Sequence, residues 1–252
     1  MIITISGQYG SGGIKIGNRI SEVMGYKLYD SKLIVRAREI YTEISKSKDR
    51  PDWWPKRNLM PFHESNDYPS IGAFGSALWQ AERYLRNEEV TYGSSFQYGK
   101  DTDSVRKAVY ECQAKAVEEL SVGGDCVLFG KCADYVLRGR DDVIRAFSSA
   151  DMELRIDRIL NLYNLNIGKI SGGSRWLPPS YTLQEAGRVL DMERRDAISL
   201  IYETDKRRAD LYDFLTGEKW GDPKNYDYQI DGNVEDLNIE ADKFIEFISE
   251  RI

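Results

Sequence analysis

The chain opens MIITISGQYGSGGIKIG, Met1 to Gly17, and this stretch decides the fold. Ile2, Ile3 and Ile5 make a short apolar strand. Five glycines (Gly7, Gly10, Gly12, Gly13, Gly17) then fall within eleven positions, and Ile16, Ile20 and Val23 continue at helical spacing. A strand that runs through a glycine-rich turn into a helix gathers backbone N–H groups and the positive helix end at one spot, which suits a phosphate. Gly7 and Gly12 have the spacing of the phosphate loop G-x-x-x-x-G-K-[ST], while Gly13 and Ile14 stand where that pattern has its lysine and hydroxyl residue. The expected phosphate cradle is therefore Gly7, Gly10, Ser11, Gly12, Gly13 and Ile14. Lys15 is the nearest cation and a candidate for the missing charge, its long stem giving it reach. The dinucleotide fingerprint G-x-G-x-x-G fits poorly, because counting from Gly10 the sixth position is Lys15.

The totals set bounds. A chain of 252 residues fits one large α/β domain with insertions. A net charge of -6 argues against a nucleic-acid surface, which demands basic excess, and leaves room for a phosphorylated ligand in a local basic pocket. Three cysteines (Cys112, Cys126, Cys132), odd in number and without close pairs, suggest a reducing compartment. The sequence has no apolar run near membrane-spanning length and no charged-then-apolar leader, so a cytoplasmic protein without membrane contact is expected. His63 is the lone histidine, which disfavours a histidine metal site or a catalytic triad. No acidic cluster is specific enough to name as a metal site; Asp101 and Asp103 read as solvated loop carboxylates.

Helix and strand candidates alternate along the chain, the pattern of a parallel sheet with covering helices. Lys27 to Tyr29 reads as a second strand and 31–47 as a helix. Residues 49–75, with Pro51, Pro55, Pro61 and Pro69, read as a loop-rich insertion in which Trp53 and Trp54 cap the core. Helices are expected at 76–90 and 103–122, the latter closed by Gly123-Gly124. DCVLFG, Asp125 to Gly130, is the best doubly covered strand; Asp142 to Ser148 is another. A helix over Asp151 to Tyr163 is followed by a second insertion, 164–181, where Trp176 could belong to a lid. A charged helical stretch at 182–214, a strand at Tyr226 to Ile230 and a closing helix at 237–250 complete the chain.

Arg155 and Arg158, three apart at the start of a helix, present both guanidiniums on one face. Phosphoryl transfer relies on neutralising the moving group, so arginines aimed into a cleft are the expected tool. Arg194 and Arg195 read instead as a solvated surface, as does Glu203 with Arg207.

Together these segments resemble one family. FSSADMELRIDRIL (Phe147 to Leu160) is similar to the strand-and-helix segment of bacterial cytidylate kinases, and ISGQYGSGG to their glycine-rich opening. LYDSKLI, VLFGKCADYVL, DKRR and YDYQID resemble further segments in the same order, and WGDPKNYD (Trp220 to Asp227) resembles a stretch of the cytidylate kinase-like family. The resemblance spans most of the chain outside 49–100 and 164–181. It implies that Asp30 and Lys131 line the acceptor site, that Arg155, Arg158 and Arg208 clamp phosphates or stack on the donor base, and that Asp205 orients Arg208. Gly7 and Lys131 stand where relatives carry arginine, and Cys132 where cytidylate kinases carry aspartate.

The expectation is a single domain over 1–252, of the P-loop three-layer α/β/α class, with a parallel sheet and helical insertions on the acceptor and lid sides. The resemblance implies ATP-dependent phosphoryl transfer, with magnesium, to a nucleoside monophosphate or related small acceptor. Two alternatives stand beside it: a nucleotide-binding relic that senses or docks, and a kinase of a non-nucleotide metabolite.

Overall fold

The computed structural model describes residues 1–55, 102–170 and 194–252. Five strands, β1 (Ile2–Gly7), β2 (Lys27–Tyr29), β3 (Cys126–Phe129), β4 (Val143–Ser149) and β5 (Tyr228–Asp231), form one sheet in the order β2-β3-β1-β4-β5. Every pairing is parallel; Ile3, for example, lies opposite Val127 on one side and Ile144 on the other. The strand that leads into the glycine loop is thus central, and it is buried along its whole length.

Alternation along the inner strands divides the apolar side chains between two faces. Ile2, Cys126 and Leu128 join one core with α2 (Ser31–Lys46), α3 (Thr102–Ser121) and the short α4 (Ala133–Val136). Ile3, Ile5, Val127 and Phe129 join the other with α1 (Gly13–Met24) and the closing α7 (Leu237–Ser249). A third, smaller cluster joins α5 (Met152–Ile170) to α6 (Arg194–Thr216) through Ile156, Ile159, Ala197 and Ile201, and takes in Tyr9 of the glycine loop. The three layers expected from the alternating pattern are present.

Some expectations shift. Helix α5 runs to Ile170, into the stretch read as the second insertion, so its apolar periodicity outlasts the point where polar residues begin to accumulate. The helix expected at 76–90, most of 49–100, His63 and Trp176 lie outside the described residues. Trp54 does cap the core: it is 3% exposed, its ring lies 5.0 Å from Tyr41, and its Nε1 donates to Ser45 Oγ at 3.1 Å. Cys112, Cys126 and Cys132 are all free. Among the described residues no helix is long and apolar enough to cross a membrane, and no cluster of His, Cys, Asp or Glu could hold a metal.

Candidate active site

Between the end of β1 at Gly7 and the start of α1 at Gly13 the chain turns through two left-handed residues, Gly10 (φ 81°) and Gly12 (φ 100°). Gly12 is required twice over, because a Cβ there would also lie 2.6 Å from Leu237 Cδ1. Three arginines hold the carbonyls of this loop. Arg208 donates to Gly7 O at 2.6 Å, Arg155 Nε to Tyr9 O at 2.8 Å, and Arg158 to Ser11 O at 3.0 Å and more weakly to Gly10 O at 3.4 Å. In a trans peptide the C=O of one residue and the N–H of the next point opposite ways. Fixing the carbonyls of Tyr9 and Ser11 outward therefore turns the amides of Gly10 and Gly12 inward. With Gly13 and Ile14, the first-turn amides of α1, they find no acceptor among the described residues. Gln8 and Ser11 close the loop internally, donating to Ser148 O at 2.9 Å and Gln8 O at 3.1 Å.

Asp205, on α6, accepts from the Tyr9 amide at 2.7 Å and from the Arg155 guanidinium. Tyr9 is thus gripped at its N–H by Asp205, at its C=O by Arg155 and on its ring by Arg208, whose guanidinium carbon lies 5.7 Å from the ring centre. Burial raises the Asp205 carboxyl above its ordinary value, against the opposing pull of Tyr9 and Arg155. Arg158 also reaches Gly232 O at 2.7 Å and Val234 O at 3.3 Å, tying the loop to the exit of β5, and burial lowers its affinity for its proton.

These placements redistribute the expected roles. Arg155, 4% exposed, and Arg158 brace the loop rather than project into open space. Asp205 hydrogen-bonds Tyr9 and Arg155 and also feels the positive charge of Arg208, the residue it was expected to orient. Lys15 is exposed on α1 and is not among the cleft-lining residues. Asp30 sits at the end of β2, on the far side of β3 from the loop, and lines no part of the cleft. Arg194 pairs with Glu153 at the surface, the solvated reading.

Beside the loop, at the carboxyl ends of β1 and β3, lies a cavity of about 190 Å³, where parallel sheets that change winding direction carry their ligands. Lys131 and Arg208 bring two positive charges to it; Gln113, Thr204 and Tyr212 bring neutral polar groups, and Phe129 and Trp220 an aromatic wall. Lys131 (φ 58°) and Cys132 (φ 55°) are both left-handed here, a conformation that non-glycine residues adopt rarely and that gathers at functional sites. Burial pushes the Cys132 thiol up to about 12, so it stands neutral at the wall.

The WGDPKNYD segment builds the wall from behind. Trp220 Nε1 donates to Ser6 Oγ at 3.0 Å, and its ring meets Phe147 edge-on at 5.2 Å. A Cβ on Gly221 would lie 2.8 Å from the Phe147 ring. Asp222 caps a single 3-10 turn, Pro223–Asn225, and Asp227 grips Arg145 through both carboxylate oxygens, setting β5 against β4. Behind the wall sits Asp134, 3% exposed, facing Tyr212 and Tyr226. Burial raises its carboxyl, and its Oδ2 has no partner among the described residues. No sequence signal singles out Gln113, Asp134 or Tyr212: Gln113 and Tyr212 stand among many other polar residues of their helices, and Asp134 lies in a helix of four residues.

A sheet whose central strand delivers a glycine loop to a cation-lined cleft defines a kinase-like nucleotide-binding module of the P-loop class. The chain belongs to the cytidylate kinase-like family, which it matches over residues 2–171. Among solved structures it is similar to an uncharacterized protein from Eubacterium ventriosum, at 17% identity and a TM-score of 0.53, covering 99% of this chain and 98% of that one. Weaker likenesses, too distant to carry an argument, are to shikimate kinase from Bacteroides thetaiotaomicron (11% identity, TM-score 0.43, 99% and 98% covered) and TT1252 from Thermus thermophilus (16%, 0.44, 100% and 97%). No curated protein matches.

Proposed function

We propose that the protein is an ATP-dependent phosphotransferase that moves the terminal phosphoryl group onto a nucleoside monophosphate or related small acceptor. One observation carries this reading: Arg155 and Arg158 fix the carbonyls of Tyr9 and Ser11, leaving the loop amides without acceptors beside a cleft that Arg208 and Lys131 line. Amides fixed before the ligand arrives stabilise phosphate charge without reorganisation. The loop receives the donor phosphates on Gly10, Gly12, Gly13 and Ile14. Arg208 and Lys131 neutralise the group in transfer, and Arg155, Arg158 and Asp205 act by fixing the loop. The acceptor oxygen attacks the terminal phosphorus as the bond from that phosphorus to the bridging oxygen breaks and ADP departs, so no side chain forms a covalent intermediate.

For the nucleotide the fit is good: a Cβ at Gly7 or Gly12 would meet Ser148 O at 2.7 Å or Leu237 at 2.6 Å, so the loop can take this close-packed path only with glycine. For magnesium the described residues fit poorly. Ile14 replaces the hydroxyl ligand and no acidic cluster stands nearby among them, so no step is drawn through a protein-held metal.

The reading without transfer draws on two observations: Gly13 in the lysine position and the exposure of Lys15. ADP release from ATP and magnesium, across a panel of nucleoside monophosphates and phosphate-free hydroxy acids, separates the two. Turnover that depends on one acceptor and is lost in Arg208→Ala supports the transferase. ATP binding without turnover on any acceptor supports the module that only binds. Absence of ATP binding removes both.

A further inference from the structure

Asp134, in α4, is 3% exposed, and its Oδ2 meets no partner among the described residues. The Tyr226 hydroxyl that faces it is sealed and unpartnered among them in the same way. Tyr212 faces the same carboxyl from α6 but also lines the cleft, and its hydroxyl is not sealed. Three polar groups thus meet behind the cleft wall, one of them open to the ligand side. No described cation grips the carboxyl. Arg145 of β4 pulls on it through space, yet that guanidinium is already held by both oxygens of Asp227. The other ionisable neighbours add no positive charge. The Cys132 thiol and, from α3, Tyr110 are kept protonated by burial, and Glu218 beside Tyr212 pairs with Arg138 at 3.0 Å. A carboxylate buried without a cation is costly, and such a group keeps its proton instead. Burial likewise holds the protons on both facing phenols.

Counting donors then sets the directions. An ionised Asp134 can only accept, which draws the Tyr212 and Tyr226 protons inward and leaves a Tyr212 lone pair toward the cleft. That lone pair would face the oxygens of any phosphate drawn in by Lys131 and Arg208. A neutral Asp134 donates its own O–H to the phenol pair, and Tyr212 is free to donate outward. We infer that Asp134 is a positioning residue: held as the neutral acid, it supplies the inward hydrogen bond of the tyrosine pair and turns the Tyr212 O–H onto a phosphate in the cleft. The inference rests on the cleft receiving a phosphorylated acceptor, as proposed above. It makes Tyr212 an uncharged donor beside Lys131 and Arg208, and it makes phosphate affinity depend on a proton that the ligand never touches.

Two measurements test this. Infrared difference spectroscopy between the parent and Asp134→Asn at pH 7 is expected to show the carbonyl stretch of a protonated carboxylic acid in the parent alone. Inorganic phosphate is then titrated by calorimetry into the full chain, its loop filled beforehand with a non-hydrolysable ATP analogue. Asp134→Asn keeps an N–H donor in place of the O–H and is expected to bind phosphate within about threefold of the parent. Asp134→Leu removes the inward donor and Tyr212→Phe the outward one. Each is expected to weaken phosphate binding by roughly ten- to a hundredfold, the worth of a hydrogen bond to a charged group. The double change should lose no more than the larger single one, because both act through the same O–H. Absence of the acid band, no phosphate binding by the parent, unchanged binding in Tyr212→Phe, or an Asp134→Asn as weak as Asp134→Leu would each overturn the inference. Should Asp134→Leu not fold, the band and Tyr212→Phe decide between them. The analogue's own titration reads the loop. If it does not bind, the transferase reading fails there, and phosphate titrated into the empty chain still judges Asp134.

Discussion

Arg155 shows how a guanidinium's role depends on what faces it. Its spacing from Arg158 was readable as a pair on one helix face; that the face looks onto loop carbonyls, 146 residues away in sequence, was not. Nothing in the string ELRIDR distinguishes an arginine bound for a phosphate from one bound for Tyr9 O. Arg155→Met should leave Asp205 buried without its counter-charge and Tyr9 O without its donor. Removing one partner of a buried pair costs about 3–5 kcal/mol, and since Asp205 keeps 19% of its side-chain surface the lower figure applies, which calorimetry should read as a melting point lower by roughly 6–12 °C. Asp134 makes the opposite case, a carboxyl with no cation gripping it. Its pKa is raised in the folded chain, so the native state holds the proton more tightly than the unfolded one. The parent's stability is then greatest at low pH and declines as pH climbs from the ordinary carboxyl value of 3.8 toward the raised one. Asp134→Asn escapes that decline. Its melting point relative to the parent should rise between pH 4 and pH 7, and a constant or falling difference would show that the carboxyl is held as an anion.

At the scale of elements, the opening strand, loop and helix were legible because local forces fix them: an apolar strand, glycines where φ is positive, an amphipathic helix. WGDPKNYD was legible only as a string. Its work is tertiary, with Trp220 on Ser6, Gly221 against Phe147 and Asp227 on Arg145, and no periodicity encodes such contacts. The same distinction applies to Gly12, whose left-handed φ of 100° is local and whose contact with Leu237 of α7 is not. Gly12→Ala should cost roughly 2 kcal/mol or more, from backbone strain of about 1–2 kcal/mol and the collision with Leu237. Shortening the partner separates the two effects. Gly12→Ala with Leu237→Ala should cost less than the sum of the single changes in a denaturation cycle, and strict additivity would mean that loop and helix do not press on each other.

Taken whole, the molecule was most readable where the sheet alternates with helices and least where distant segments meet around the loop. If the loop binds ATP, ligand present at a hundred times its dissociation constant should stabilise the folded chain by about 2.7 kcal/mol and raise the melting point by roughly 5–10 °C. Guanosine or adenosine without phosphates should not. Arg158, which joins Ser11 O to Gly232 O and Val234 O, also sets an order of events during synthesis. The glycine loop leaves the ribosome long before Gly232, on which its clasp closes. At about 5–20 residues per second, the loop waits on the order of ten to forty seconds for its own framework. A nascent chain stalled before Asp231 would display the complete GQYGSGG string and should hold no nucleotide. Competence arrives late, with β5 and the turn beyond it, so unfinished chains have no means of sequestering the ligand.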